Sequence, residues 1–176
     1  DPQNNDEYVD TNSSSDWRYD VFRSIGQHTN VSYFLSRPIT GDAQVITFSS
    51  PDNSYNAIVN LFRKAKSTID LSIYQFTSSY LMEELVTAMK RGVQVRLLLE
   101  DIYPGASVYS GGTDEAYEVV YIAQQIDNNE NGTVKWEDKG WRYTHSKYFI
   151  VDNEVITIST ENFKFTGIPK DSSAGN

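Results

Sequence analysis

Three polar residues late in the chain have side-chain types that could attack and hold a phosphate group. His145, Lys147 and Asp152 occur in the order His-x-Lys-x-x-x-x-Asp. Imidazole is available as a nucleophile near neutral pH, and an ammonium group beside it can hold phosphate oxygens. Side chains two residues apart on a strand point to the same side, so we expect His145 and Lys147 to face one ligand.

A hydroxyl and an amide follow shortly afterwards, at Thr160 and Asn162. The apolar runs 148–151 and 155–158 predict two strands joined by a turn near Asp152. The first strand would carry His145 and Lys147 at its rim, and Thr160 and Asn162 would arrive where the second strand ends.

This series resembles the HKD motif of the phospholipase D superfamily. The trailing Gly-Ser-x-Asn of that motif appears here as residues 159–162, with Ser159 in place of Gly and Thr160 in place of Ser. Residues 73–77 and 92–101 resemble the paired inner strands of the superfamily's α/β sandwich. The resemblance covers residues 44–169, and the amino-acid sequence of 159–169 is most similar to that of archaeal phospholipase D-like proteins.

The resemblance implies a metal-independent phosphodiesterase that uses no cofactor. His145, Lys147 and Asp152 would form the catalytic set, with His145 attacking phosphorus to give a phosphohistidine that water or an alcohol resolves. Lys147, Thr160 and Asn162 would bind the substrate phosphate. The resemblance implies that Asp152 supports the site indirectly. Asp152 has the opposite strand parity from His145, so direct pairing would require the strand to bend or end before it, and a turn-forming role explains Asp152 nearly as well.

Other polar residues receive structural interpretations. Glu100 and Asp101 end a predicted core strand and could shape the cleft, but we interpret them as solvated loop residues. His28 is the only other histidine and is interpreted as an exposed loop residue. Two distant histidines and the absence of cysteine predict no metal site.

The elements that must position these residues alternate between strand and helix. A strand is predicted at 44–48, a helix with apolar positions from 57 to 65, and a strand at 68–76. A second helix, capped by Ser78 or Ser79 and ended by Gly92, leads to a buried strand at 93–99. A loop at 101–112, a helix at 114–125 and a strand at 133–136 follow. This order predicts an α/β fold of phospholipase D-like sandwich type, with a mixed sheet flanked by helices.

At 176 residues the chain is long enough for one domain with a hydrophobic core. We interpret residues 1–16 as a polar leader or linker, 17–43 as a segment packing on the domain, and 44–176 as the phospholipase D-like domain. No apolar run approaches membrane-spanning length. We therefore expect a soluble protein. The start at Asp1 fits a processed form and leans weakly towards an extracytoplasmic protein, but the sequence leaves the compartment unknown. Glycosylation at Asn12, Asn30 and Asn131 is an open question.

Only one HKD motif is present, whereas the superfamily's chemistry needs two facing each other. A homodimer, or a second half of a longer two-motif protein, would supply the other; the non-Met start and short tail favour a fragment. A further acidic residue usually follows the Asn in the family, and the candidate here is Asp171. The alternative is a non-catalytic half-domain for dimerisation or phosphate binding. Phospholipid and nucleic acid both remain as substrates, although a net charge of −9 disfavours a non-specific nuclease.

Overall fold

The computed structural model describes residues 42–100, 102–103, 106–107, 114–137 and 144–170. The predicted segments 1–16 and 17–43 therefore lie almost wholly outside the described residues, as do Asp101 and Asp171. In chain order the elements are α1 (Ser54–Lys64), β1 (Thr68–Ile73), α2 (Ser79–Lys90), β2 (Gln94–Leu99), β3 (Ile102–Tyr103), β4 (Ala106–Ser107), α3 (Asp114–Asp127), β5 (Gly132–Trp136), β6 (Lys147–Val151) and β7 (Val155–Ile158).

Five strands form one mixed sheet in the order β5-β2-β1-β6-β7. Strands β5, β2 and β1 run parallel, whereas β6 is antiparallel to both β1 and β7. The predicted fold class is confirmed. The ends of β1, β2, β5 and β7 and the start of β6 consequently meet at one border of the sheet, called the site edge below.

Helix α2 shows how local sequence sets these positions. The Ser78 hydroxyl accepts a hydrogen bond from the backbone N–H of Leu81, which caps the first turn. Gly92 follows the end of α2 with φ of +92°, a backbone conformation that glycine adopts without steric strain. The chain changes direction at Ser78 and again at Gly92, so β2 runs parallel to β1, as the strand–helix–strand pattern predicts.

The hydrophobic core lies between one face of the sheet and the helices. Alternate residues of β1 and β2 are buried on that face, and α1, α2 and α3 contribute the opposing apolar side chains. The T-shaped contact of Phe62 in α1 with Phe149 in β6, with ring centroids 5.1 Å apart, joins the two layers. Burial of this continuous apolar surface holds β6, and with it the site edge, in place.

Three sequence predictions of secondary structure differ from the structure. Residues 42–49 form no strand, and Val45 and Ile46 are exposed, because strand propensity needs a pairing partner to take effect. The predicted loop at 101–112 contains the short antiparallel pair β3 and β4. His145 also precedes β6 instead of lying on it, because regular pairing begins at Lys147.

The part of the chain that the structure describes contains no helix long and apolar enough to cross a membrane. Of the three glycosylation sequons, only Asn131 is described. Its side-chain amide donates to the Met89 carbonyl at 3.1 Å, and its oxygen accepts from Gln94 at 2.6 Å. Both polar atoms of the Asn131 side chain are therefore engaged within the domain.

Candidate active site

The segment 144–147 enters β6 at the site edge and is tied to the two central strands. Glu100, directly after β2, accepts a hydrogen bond from the backbone N–H of Thr144. The Ser146 hydroxyl is 2.5 Å from the hydroxyl of Ser72 in β1, and the Ser146 carbonyl accepts from the Tyr74 N–H at 2.8 Å. These bonds restrain the backbone on both sides of the candidate nucleophile.

His145 and Lys147 meet at the ring of Tyr74. The imidazole and phenol centroids are 4.6 Å apart with an interplanar angle of 66°, and Lys147 Nζ lies 5.2 Å from the same phenol centroid. Lys147 Nζ also donates to the His145 carbonyl at 3.1 Å. The structure thus brings together the two residues that their spacing predicted to share a ligand.

The two residues differ in their exposure. His145 is exposed, whereas Lys147 is only 6% exposed. Burial lowers the pKa of the Lys147 ammonium group because it disfavours the charged form, and the carboxylate of Glu161 acts in the opposite direction. The arrangement offers an accessible imidazole beside a cation with little water around it, where its attraction for an anion is strongest.

The residues after β7 arrive at the same edge. The Ser159 N–H donates to the Lys147 carbonyl at 2.9 Å, and Thr160 next to it is exposed. Asn162 Nδ2 donates to the side chain of Gln75 at 3.0 Å, while the buried Asn162 Oδ1 has no hydrogen-bond partner among the described residues. One amide hydrogen of Asn162 therefore remains for a ligand.

Asp152 lies away from this group. It follows the far end of β6, roughly 16 Å from Lys147 at about 3.3 Å per residue. Its carboxylate accepts three backbone N–H bonds, from Lys66, Ser67 and Thr68 at 2.8–2.9 Å, and the Ser67 hydroxyl. Asp152 and the next residue have φ of 53° and 56°, so they form the turn between β6 and β7. The structure does not bring Asp152 to the other predicted catalytic residues.

Removal of the Asp152 carboxylate is expected to reduce stability much more than turnover. Asp152→Ala leaves the three N–H donors without their partner and places a poor residue at positive φ, so the free energy of unfolding should fall by about 2 kcal/mol. The Thr68 N–H, followed by those of Lys66 and Ser67, lowers the pKa of this carboxyl. Its stabilisation is therefore present above about pH 4 and is lost as the pH falls through the lowered value.

Urea unfolding of wild type and Asp152→Ala between pH 3 and 7 measures this effect. Asp152→Asn, which keeps an oxygen acceptor and tolerates positive φ, should lose less stability. Asp70→Ala removes the carboxylate of an exposed ion pair with Arg96 and should change stability by under about 1 kcal/mol. Full stability of Asp152→Ala together with lost turnover would contradict the structural role.

Glu100 corrects one prediction, and Tyr74 and Gln75 add contacts that the motif did not indicate. Glu100 is 4% exposed, so its assignment to a solvated loop is wrong; its bond to the Thr144 N–H holds the carboxylate inward. Tyr74 and Gln75 directly follow β1, as Glu100 follows β2. Residues after the carboxyl ends of parallel strands commonly line α/β sites, which is the signal that could have found all three.

Comparison with known proteins assigns this fold and site to a family. Residues 58–172 match the family model described as the PLD-like domain of cardiolipin synthase, which covers well over half of the chain. The chain therefore belongs to the phospholipase D-like family, as the HKD resemblance predicted.

Curated relatives are bacterial cardiolipin synthases. Those of Listeria welshimeri and Listeria monocytogenes are 29% identical over 125 residues, which cover 68% of this chain. The matched region spans only 24% of those relatives' length. The resemblance to archaeal members stays a prediction.

Solved structures show the same fold. The phospholipase D family member Nuc from Salmonella typhimurium superposes with a TM-score of 0.54 at 24% identity, covering 69% of this chain and 73% of that one. NucT from Helicobacter pylori gives a TM-score of 0.50 at 15% identity, covering 66% of this chain and 70% of that one.

Proposed function

We propose that the protein is a metal-independent phosphodiester hydrolase or transphosphatidylase that acts through a phosphohistidine at His145. The observation that carries this proposal is the meeting of an exposed imidazole and a buried ammonium group at one ring. Membership of the phospholipase D-like family supports the general kind of reaction.

In the first step, a nitrogen of His145 attacks phosphorus and the bond to the leaving oxygen breaks. The leaving oxygen takes a proton from an acid on the opposite side of the phosphate. Water or an alcohol then attacks phosphorus, loses its proton to that same group, and releases the imidazole. Lys147, Asn162 and Thr160 bind the non-bridging oxygens, where negative charge builds up.

The proton donor has to be a second HKD motif, supplied by another copy of the chain or by another part of a longer protein. A twofold axis through the site edge would place two His145 side chains on opposite sides of one phosphate. Phospholipid and nucleic acid diesters both fit this chemistry. The net charge of −9 favours the lipid diester, because a duplex requires a basic surface.

Metal removal tests the charge stabilisation assigned to the protein's own side chains. Within the described segments, no three His, Asp or Glu side chains are grouped so that they could hold a metal ion. We expect hydrolysis of bis(4-nitrophenyl) phosphate to proceed at an unchanged rate after dialysis against EDTA. Loss of turnover, with recovery on addition of a divalent cation, would contradict the proposal.

The second candidate function is a non-catalytic half-domain for dimerisation or phosphate binding, which is favoured by the presence of a single motif. The two candidates differ in turnover and in assembly. A catalytic homodimer hydrolyses the diester and has twice the chain mass of 20.0 kDa under native conditions. A dimer or phosphate binder without turnover would support the half-domain.

A further inference from the structure

Tyr74 touches every residue of the His145–Ser146–Lys147 sequence. Its ring contacts the imidazole of His145 and the ammonium group of Lys147, and its backbone N–H donates to the Ser146 carbonyl at 2.8 Å. Tyr74 is itself 7% exposed and follows directly after β1, a central strand of the sheet. The ring is therefore a rigid surface, set by the core, against which both reactive groups rest.

His145 depends on such a surface because of its position. It is exposed and precedes β6, so strand pairing does not fix the direction of its side chain. An imidazole free to rotate would present its nitrogen to phosphorus in only a fraction of its orientations. A tilted contact with an aromatic ring at 4.6 Å restricts this rotation, and the exposure of His145 keeps the residue accessible to a ligand.

Lys147 benefits from the same ring for a different reason. A buried ammonium group has lost water, and a carboxylate partner would compensate for this loss but would also compete with the phosphate. The face of an aromatic ring attracts a cation through its quadrupole and carries no net charge. Tyr74, 5.2 Å from Nζ, can thus support the ammonium group without neutralising it, in addition to the weaker effect of the Glu161 carboxylate.

We propose that Tyr74 is a positioning residue whose ring sets the orientation of the His145 imidazole and the place of the Lys147 ammonium group beside it. The kinetic consequence rests on the proposed phosphodiesterase function. The structural consequence does not, because the ring contacts exist without substrate.

The test uses the full chain with labelled histidine, which gives NMR signals from His145 and His28 alone. Tyr74→Phe keeps the ring, and Tyr74→Leu removes it while keeping an apolar side chain. We expect the ring-proton signals of His145 to shift in Tyr74→Leu and to stay close to wild type in Tyr74→Phe. His28 serves as the internal reference, and a His145→Gln spectrum assigns the signals.

Turnover of bis(4-nitrophenyl) phosphate gives the second measurement. In Tyr74→Leu, kcat should fall by on the order of tenfold to a hundredfold with a smaller change in KM, because the reacting groups are misplaced more than the substrate is released. Tyr74→Phe should retain kcat. If wild type shows no turnover, the proposed function fails, and the NMR comparison still decides the role of Tyr74.

Tyr55 provides a matched control, since it is also a tyrosine that is 7% exposed, but it lies in α1. Tyr55→Leu should lower the melting temperature as Tyr74→Leu does, without moving the His145 signals. Three results would each overturn the inference: unshifted His145 signals in Tyr74→Leu, equal shifts in Tyr74→Phe, or equal shifts in Tyr55→Leu.

Discussion

Replacement of His145 by alanine is expected to lower kcat for bis(4-nitrophenyl) phosphate by at least about 10³-fold, because loss of a covalent nucleophile removes the whole two-step route. The variant should stay folded, since the imidazole is exposed and packs against the ring of Tyr74. Melting temperature and steady-state rates, measured on the same preparation, separate the two effects.

The other histidine supplies the control for this experiment. His28→Ala removes an imidazole from outside the motif and should leave kcat unchanged. A rapid alkaline quench followed by intact-mass measurement should show a phosphoryl adduct on wild type and on His28→Ala, with none on His145→Ala. A wild-type kcat in His145→Ala would contradict the proposed mechanism.

Replacement of Lys147 by methionine is expected to lower kcat by roughly 10²- to 10³-fold, the usual cost of removing one donor to a developing charge. Methionine fills a similar volume without a charge, so the packing around Tyr74 and β6 is kept. Lys90→Met, on the exposed end of α2, is the matched control and should retain kcat.

The substitution Lys147→Met lowers turnover, but it should not lower the free energy of unfolding at pH 7. Burial lowers the pKa of Lys147 in the folded protein, so the unfolded chain binds the proton more tightly. The free energy of unfolding of wild type should therefore rise with pH between that lowered value and the ordinary lysine range, while turnover falls as the ammonium group is lost. Lys147→Met should lack this rise and melt at or above the wild-type temperature at pH 7.

A Lys147→Met protein that melts well below wild type would contradict this account, since it would show that the ammonium group stabilises the fold. Retained kcat in this variant would show that phosphate charge is balanced elsewhere. Urea unfolding between pH 7 and 10.5 and rates over the same range measure both quantities.

The sequence predicted those parts of the site edge at which side-chain chemistry and strand periodicity indicate the same residues. The runs around β6 and β7, and the spacing of His145 and Lys147, depend only on local order, and the structure has both strands and brings the two residues together. The role of Tyr74 could not be predicted in this way. Its contacts depend on the pairing of β1 with β6, which no local pattern specifies.

The same limit explains the errors. In the sequence, Glu100 is simply a polar residue after a core strand. Its burial depends on the Thr144 N–H, which donates a hydrogen bond to its carboxylate. Residues 44–48 have strand-like composition, but they pair with no strand among the residues that the structure describes. The bonds of Asp152 to residues 66–68 join parts of the chain more than 80 residues apart. Its strand parity, opposite to that of His145, argued against direct pairing of the two but could not indicate these partners.

Strand β7 forms an outer border of the described sheet, and Ile156 and Ile158 on it are 62% and 76% exposed. An outer strand that has no second neighbour among the described strands, and that exposes two isoleucines, is a template on which further chains can add. Purified on its own, the domain should thus be prone to aggregate as its concentration rises. Storage at low concentration, or a lysine placed on β7, would be the practical remedy in handling it.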